Sequence, residues 1–408
     1  MTWTGKSFGD PLYCFPVQIK ENVHVASVVA GDTFWLRPAA ALRLTTKDEM
    51  TILLVDISAH GLGHLAQTAP VLNVLHTLVP TLHLTVRSAL VRECLQRRIA
   101  ANFTHVEEAR DFGFVMHNAV DIDLAASAQC YREFHADWPQ RIAAEADWLR
   151  QYKIDALLSN VAYLPLAGAA QASIPAAGLC SLNWAELFAH YFGDEPWAAE
   201  IHGQMLAAYN AGSGFLRVTP GLPMKDIRQR REIAPIAHIG QRDRARVARL
   251  LNLKESQRWV LLAMGGMEFR LPVASWPQIP GLNWLVPGDW QIERNDVRSF
   301  DVAALHFSDL LASIDAVVTK PGYGTFVEAA CGGIPILYLQ RDDWPETPHF
   351  AAWLAQHARA GVLTREQLLA GDFIDALQAL WQTPVPAVPV ADGAEAAAHW
   401  LVREFGLA

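Results

Sequence analysis

From about residue 50 onward, short unbroken apolar runs alternate with longer stretches in which apolar positions recur every three or four residues. The runs have the length of buried strands, and the periodic stretches have the spacing of helices with one buried side. Residues 51–57 read as a first strand, 64–78 as a helix ended by Pro80, 82–86 as a strand, 90–99 as a helix and 103–106 as a third strand. A long helical stretch is expected from about 124 to 151, with Trp138, Ile142, Ala146 and Leu149 on one face. Then come a strand at 154–159, a helix at 164–172, a strand at 176–179 and another at 215–218. This alternation predicts an α/β protein with a parallel, doubly wound sheet.

The proline-rich T-P-G-L-P after residue 218 closes this first domain, and the pattern restarts after a linker. Strands are expected at 259–263 and 282–286, and a short helix within H-F-S-D-L-L-A-S-I-D-A-V leads to the most informative stretch, D-A-V-V-T-K-P-G-Y-G-T-F-V-E-A-A-C-G-G-I-P-I-L-Y-L-Q at 315–340. Val317 and Val318 mark a strand and Pro321 stops it. Gly322 and Gly324 permit a tight turn, Thr325 opens a helical run, and Gly332 with Gly333 ends it before the strand 334–339. Such a turn gathers unpaired backbone N–H groups and the positive end of a helix dipole at one point, where a diphosphate is held. Glu328 lies one turn inside the helix, within reach of ribose hydroxyls. Helices are expected at 348–360, 365–381 and 391–405.

The order D-x-V-V-T-K-P-G-Y-G-T-x-x-E-A-x-x-x-G-x-P resembles the donor-nucleotide motif of GT-B glycosyltransferases. It is most similar to a MurG-like, predicted bacterial branch that also resembles the non-kinase N-terminal part of plant arabinose kinases. The resemblance implies a GT-B fold: two Rossmann-like, doubly wound parallel-sheet domains facing across a cleft. It implies a first, acceptor-side domain at 50–222, a linker at 223–240, a nucleotide-sugar-binding domain at 241–385 and a last helical segment, 386–408, packed back on the first domain. Residues 1–49 show no sustained period and no signal-peptide core. Because the family opens on a strand like T-I-L-L-V-D-I, Met50 is expected as the natural start, with the preceding segment a misassigned extension or a loosely attached arm.

Several residues are candidates for chemistry. His64, in the loop G-L-G-H with Gly61 and Gly63, stands at the carboxyl end of the first strand, where open α/β sheets bind ligands. A histidine there serves as a helix cap or as a general base, and the family's G-x-G-H favours the base. Gly265 and Gly266 form either a strand-end turn or a close approach to donor phosphates. Lys320 and Thr325 flank the glycine turn at 322–324 around Tyr323, where a cation and a hydroxyl would stabilise a departing diphosphate. By resemblance, Asp111 opens an acceptor-side loop at 111–123. Asn160 takes a place that is commonly Asp in the family, which removes a charge from the cleft floor. Asn183, Trp184 and Glu186 loosely match a family N-x-x-W region. In the loop holding Arg341, Asp342, Asp343, Glu346 and His349, relatives carry an acidic residue followed by Gln in contact with the donor sugar. Glu346 is followed here by Thr347, so the second contact does not carry over. Asp342 with Asp343 reads as two solvated carboxylates, and no metal site or cofactor is expected beyond a nucleotide-diphosphate sugar as co-substrate.

Composition narrows this further. The 408 residues, 51% hydrophobic and 18% charged, suffice for two filled cores. A net charge of −9 argues against a nucleic-acid partner. A basic cluster (Lys225, Arg228, Arg230, Arg231, then Arg242, Arg244, Arg246, Arg249) reads as a solvated face, with peripheral membrane or anionic-ligand contact the lesser reading. Cys14, Cys94, Cys130, Cys180 and Cys331 form no C-x-x-C pair, which fits a reducing, cytoplasmic setting rather than a disulfide framework or zinc. The uncharged run 156–185 contains Asn160, Pro165 and Pro175 and reads as strand, helix and strand, not a membrane span. The expected reaction is metal-independent transfer of a hexosyl or N-acetylhexosaminyl group to a small-molecule, lipid-linked or protein acceptor. A non-catalytic nucleotide- or sugar-binding module, or an epimerase or hydrolase on the same scaffold, are the alternatives.

Overall fold

The computed structural model describes residues 50–265, 269–302 and 305–407. The segment before Met50, and the expectation about the natural start, lie outside the described residues. The chain divides after Met50, and the architecture below is that of Thr51–Ala408.

Seven parallel strands make the first sheet: β1 (Ile52–Ile57), β2 (His83–Arg87), β3 (Phe103–Val106), β4 (Ala156–Asn160), β5 (Ala176–Cys180), β6 (Gly214–Val218) and β7 (Arg230–Ile233). Their order is β3-β2-β1-β4-β5-β6-β7. The helices between them are α1 (Leu62–Leu78), α2 (Arg92–Gln96), α3 (Leu124–Ala136), α4 (Trp138–Gln151), α5 (Leu164–Ala172), α6 (Trp184–Phe192) and α7 (Ala198–Tyr209). The second sheet has β8 (Arg258–Ala263), β9 (Leu282–Val286), β10 (Val297–Ser299), β11 (Ala316–Thr319), β12 (Ile336–Leu339) and β13 (Ala360–Leu363), in the order β10-β9-β8-β11-β12-β13. With it go α8 (Arg244–Leu251), α9 (Phe307–Ser313), α10 (Tyr323–Cys331), α11 (Thr347–His357), α12 (Arg365–Ala370), α13 (Ile374–Gln382) and α14 (Gly393–Phe405).

Both sheets are doubly wound, as the alternating pattern expects. Along β1, Leu53, Val55 and Ile57 enter one core and Leu54 the other; along β8, Trp259, Leu261 and Ala263 part in the same way from Val260 and Leu262. One of these cores runs continuously from the first sheet through α1, α10 and α14 to the second. The helix α14 lies along α1, and the Trp400 indole covers Gly214 in the first sheet.

The structure departs from the sequence reading where local signals compete. The stretch 124–151 is two helices, α3 and α4, broken at Asp137 (φ −115°, ψ 40°) just before Pro139. Residues 365–381 likewise split into α12 and α13 at Gly371, whose φ of +69° is left-handed and whose missing Cβ makes room for the Trp276 ring. Strand β7 lies inside the expected 223–240 linker and belongs to the first sheet, pairing with β6. The run 156–185 is β4, α5 and β5, and no helix among the described residues is long and apolar enough to cross a membrane. Lys225, Arg228, Arg230 and Arg231 are exposed, whereas Arg244 lies over the Trp259 ring at 3.7 Å and pairs with Asp315 at 3.0 Å. Cys94, Cys180 and Cys331 carry free thiols; Cys130 is disulfide-bonded, so the expectation of unpaired cysteines fails there.

Beneath the first sheet's carboxyl edge, buried Arg87 grips Asp56 through Nε and Nη2 at 2.6 and 2.8 Å. It also reaches Glu145 at 2.5 Å, which in turn accepts from Arg110 at 2.7 Å. Glu145→Ala removes the carboxylate shared by two guanidinium groups and leaves Arg87 with Asp56 alone and Arg110 with Glu108 alone. It is expected to cost about 3–5 kcal/mol of stability in urea unfolding; a loss below about 1 kcal/mol contradicts a tightly paired network.

Candidate active site

The first sheet contributes a histidine in a defined tautomer. Gly61 caps α1 with extended backbone, and His64 in the first turn is 7% exposed. Its Nδ1 lies 2.8 Å from Asn160 Oδ1, at the end of β4 beside Ile57. The Asn160 amide nitrogen donates to Thr68 Oγ1 at 2.9 Å, and Thr68 Oγ1 donates to the His64 carbonyl at 2.8 Å. Because the Thr68 proton is committed to that carbonyl, its oxygen must accept from the Asn160 NH₂. The asparagine carbonyl therefore faces the ring, so Nδ1 carries the proton and Nε2 holds a lone pair. Burial lowers the His64 pKa to about 4 against the opposing pull of the Asn160 hydrogen bond. Asparagine thus orients the ring without supplying the charge that would stabilise an imidazolium.

Around His64 stand His60, which the sequence reading did not single out, and Asp111, which it placed on the acceptor side. His60 Nε2–H donates to the Phe114 carbonyl, 3.2 Å away, and its ring lies parallel to Trp344 and edge-on to Trp184. Burial, then the charges of His64 and Lys320, push its pKa down to about 3. Asp111 accepts from Trp184 Nε1 at 2.7 Å, and burial raises its carboxyl to about 6. A second histidine in S-A-H-G-L-G-H was a readable signal for His60.

The second sheet contributes a cation. Gly265 follows β8 with φ +92°, and a Cβ there would come within 2.8 Å of Lys320 Cε. The Lys320 Nζ lies 3.7 Å from that Cβ position and 4.0 Å from the one at Gly322. The ammonium therefore stands between the two glycine turns, before the first amides of α10, and burial followed by the charge of Arg341 lowers its pKa to about 8. Thr325 is half-buried in the first turn of α10. Gly266, expected beside Gly265, lies outside the described residues.

Three residues expected on the donor side have their side chains engaged within the protein in this structure. The Tyr323 hydroxyl donates to the Thr219 carbonyl at 3.1 Å and accepts from Ile236 N–H at 2.9 Å, so its side chain pins the crossing between the domains and only its amide faces the turn. The Glu328 carboxylate, read as a ribose contact, is buried and taken by Arg98 of the first domain at 2.5 and 3.4 Å. Glu346 also reaches across: its oxygens accept from Ser181 Oγ and Trp344 Nε1, each at 3.0 Å, and burial raises its pKa.

The two glycine loops meet. A Cβ on Gly324 would lie 3.1 Å from Ala66 Cβ and 3.9 Å from Gly63 Cα, so the N-termini of α1 and α10 approach closely where Gly324 carries no side chain. His64 follows one loop and Lys320 precedes the other.

Two facing Rossmann-like sheets with this arrangement define the GT-B fold of glycosyltransferases. The structure resembles the calicheamicin glycosyltransferase CalG4 (TM-score 0.57, 15% identity, 88% of this chain and 99% of that one) and the spinosyn rhamnosyltransferase SpnG (0.53, 18%, 88% and 96%). It also resembles a protein assigned as a UDP-N-acetylglucosamine 2-epimerase from Listeria monocytogenes (0.51, 11%, 88% and 98%). No family model matches the chain. In sequence it is similar to L-arabinokinase of Arabidopsis thaliana, at 24% identity over 358 residues covering 85% of this chain and 33% of that protein. The chain thus spans about a third of the length of the curated relative it matches, in keeping with the likeness to plant arabinose kinases carried by the C-terminal motif.

Two outcomes test this geometry. A histidine whose pKa is depressed on folding holds stability above pH 6.5 and loses it as the pH falls, because the unfolded chain takes up the proton first. His64→Asn removes that loss, so between pH 7 and pH 5 the variant is expected to lose about 2 kcal/mol less than the parent in urea unfolding. An unchanged gap contradicts the buried neutral ring. Arg98→Ala leaves Glu328 buried without its cation and is expected to cost on the order of 3 kcal/mol, with much of that recovered in Arg98→Ala/Glu328→Gln. Additive single losses contradict the pair.

Proposed function

We propose that the protein transfers a glycosyl group, hexosyl or N-acetylhexosaminyl, from a nucleoside-diphosphate sugar held by the second sheet to an acceptor hydroxyl held by the first, without a metal. One observation carries this reading: the two glycine loops touch, with a histidine in the Nδ1–H tautomer on one side and an ammonium on the other. His64 Nε2 takes the acceptor proton as its oxygen attacks the anomeric carbon. The bond from that carbon to the diphosphate oxygen breaks, and the charge left on the diphosphate is met by Lys320 and the amides of Gly322, Tyr323 and Gly324. Gly61, Gly63 and Asp111 line the acceptor side. Small-molecule, lipid-linked and protein acceptors fit such a cleft equally, and the setting is proposed to be the bacterial cytoplasm.

Donor entry is proposed to part Arg98 from Glu328, which frees the carboxylate for ribose hydroxyls. A second reading is favoured by that same pair and by Asn160: a nucleotide- or sugar-binding module that keeps the fold without turnover. Thermal-shift screening with uridine, guanosine and thymidine diphosphate sugars, followed by assays of nucleotide release, separates the readings. Release that requires an acceptor supports the transferase, binding without release supports the module, and release or epimer formation without an acceptor supports a hydrolase or epimerase. His64→Ala is expected to lower turnover about 10²- to 10⁴-fold while leaving donor affinity intact. Lys320→Met is expected to weaken nucleoside-diphosphate binding about 10- to 100-fold. Near-parental turnover in His64→Ala contradicts the base assignment.

A further inference from the structure

The loop after β12 holds charge and hydrogen-bonding capacity that the proposed reaction leaves unused. Arg341 follows β12, the strand beside β11 and Lys320, and its side chain is only 5% exposed. Its Nε and Nη2 are buried without a hydrogen-bond partner, and so is Thr347 Oγ1, in the first turn of α11. The nearest anion is Asp343, whose oxygen stands 3.4 Å from Nε without hydrogen-bond alignment and whose side chain is 56% exposed. The guanidinium lies over the Trp344 ring at 4.3 Å, and Trp344 stacks on His60. Arg341 therefore lies on the flank of the cleft that includes His60, whose pKa its charge helps to lower.

Nε and Nη2 form the edge of a guanidinium whose two N–H bonds run parallel and match the two oxygens of a carboxylate. The same protein shows this edge in use, since Arg87 grips both oxygens of Asp56 through these two atoms. A buried guanidinium whose edge meets only the misaligned Asp343 oxygen, in the same loop as an unpartnered hydroxyl that opens an eleven-residue helix, can receive one planar anion. The donor diphosphate has its own partners in Lys320 and the amides of α10.

We propose that Arg341, with Thr347 and the first turn of α11, binds the carboxylate of a hexuronic acid, carried either by the sugar of the donor or by the acceptor. This rests on the glycosyl-transfer reading for the place of the sugar. It adds that the sugar seated beside Trp344 is charged. Arg341 acts in specificity, and the unpartnered Thr347 hydroxyl supplies the neutral donor.

Calorimetric titration of the full chain tests this in two arms. The first compares uridine diphosphate, UDP-glucose and UDP-glucuronate; the second compares methyl glucoside with methyl glucuronide, with and without uridine diphosphate. In one arm the uronate is expected to bind about tenfold or more tightly than its neutral counterpart, from a charge-assisted bidentate contact. That arm identifies which substrate carries the charge. In Arg341→Gln the ratio falls to near one while uridine diphosphate affinity stays within about twofold; Arg341→Lys, which keeps the charge but not the fork, retains part of the ratio. If Arg341→Gln does not fold, the parental ratio and Arg341→Lys decide. Equal binding of charged and neutral sugars in both arms overturns the proposal. So does an Arg341→Gln variant that loses uridine diphosphate as strongly as uronate, because Arg341 is then a diphosphate contact. Uridine diphosphate binding with no uronate preference sinks this inference alone, whereas no response in either arm, with guanosine and thymidine diphosphates also failing to bind, sinks it together with the transferase reading.

Discussion

Two helices point their positive ends at the same buried place, and much of the cleft is arranged around that fact. The first turns of α1 and α10 meet at Gly63 and Gly324 with no side chain between them. Each carries the partial positive charge of unpaired amides, and Lys320 and Arg341 add two formal charges nearby. Nothing in such a place tolerates more positive charge. Burial first, and for His60 and Lys320 also the neighbouring positive charges, holds His60 and His64 neutral, with pKa values near 3 and 4, and makes Lys320 give up its proton more readily than an exposed lysine does. Glu346 is close by but is committed to Ser181 and Trp344. A site with this imbalance suits an anionic ligand, which is why the phosphate reading of the glycine turn and the carboxylate reading of Arg341 have a common physical origin.

The same contact joins the two halves mechanically. The core that contains α1, α10 and α14 passes from one sheet to the other without a break. Outside it, the halves are clasped by polar contacts: Arg98 on Glu328, His306 on the Arg97 carbonyl at 2.9 Å, Arg365 on Asp121 at 2.9 Å, and Tyr323 on the crossing strand segment. Polar clasps of this kind exchange readily for ligand hydroxyls and water, whereas the apolar core does not. A donor that competes with Arg98 for Glu328 would thus loosen one clasp while leaving the shared core as the pivot.

The sequence reads well where one local signal dominates. Central strands such as β1, β4 and β11 are built on short apolar runs, and the turns around Gly322 and Gly61 are marked by glycines. The edge strands β7 and β10 escaped notice because they are three or four residues long and at least half polar, and β13 because its four residues directly follow an apolar-periodic helix. The helix breaks at Asp137 and Gly371 were hidden by apolar spacing that runs on through them. Site residues divide in the same way. His64 and Lys320 stand beside their glycines, but Arg98 and Glu328 are 230 positions apart, and no spacing rule connects them. The partnership of Thr68, Asn160 and His64, which fixes the tautomer, likewise exists only once β4 is seated beside β1.

The most direct test of the cleft as an anion site is the pH profile of nucleoside-diphosphate affinity in the parent protein, followed by titration from pH 6.5 to pH 9.5. Protonated Lys320 before α10 requires affinity to hold at the acid end and to fall through about pH 8 as the ammonium is lost. Binding that is absent throughout, or that is unchanged across that range, contradicts the assignment of the α10 turn and Lys320 as the diphosphate anchor.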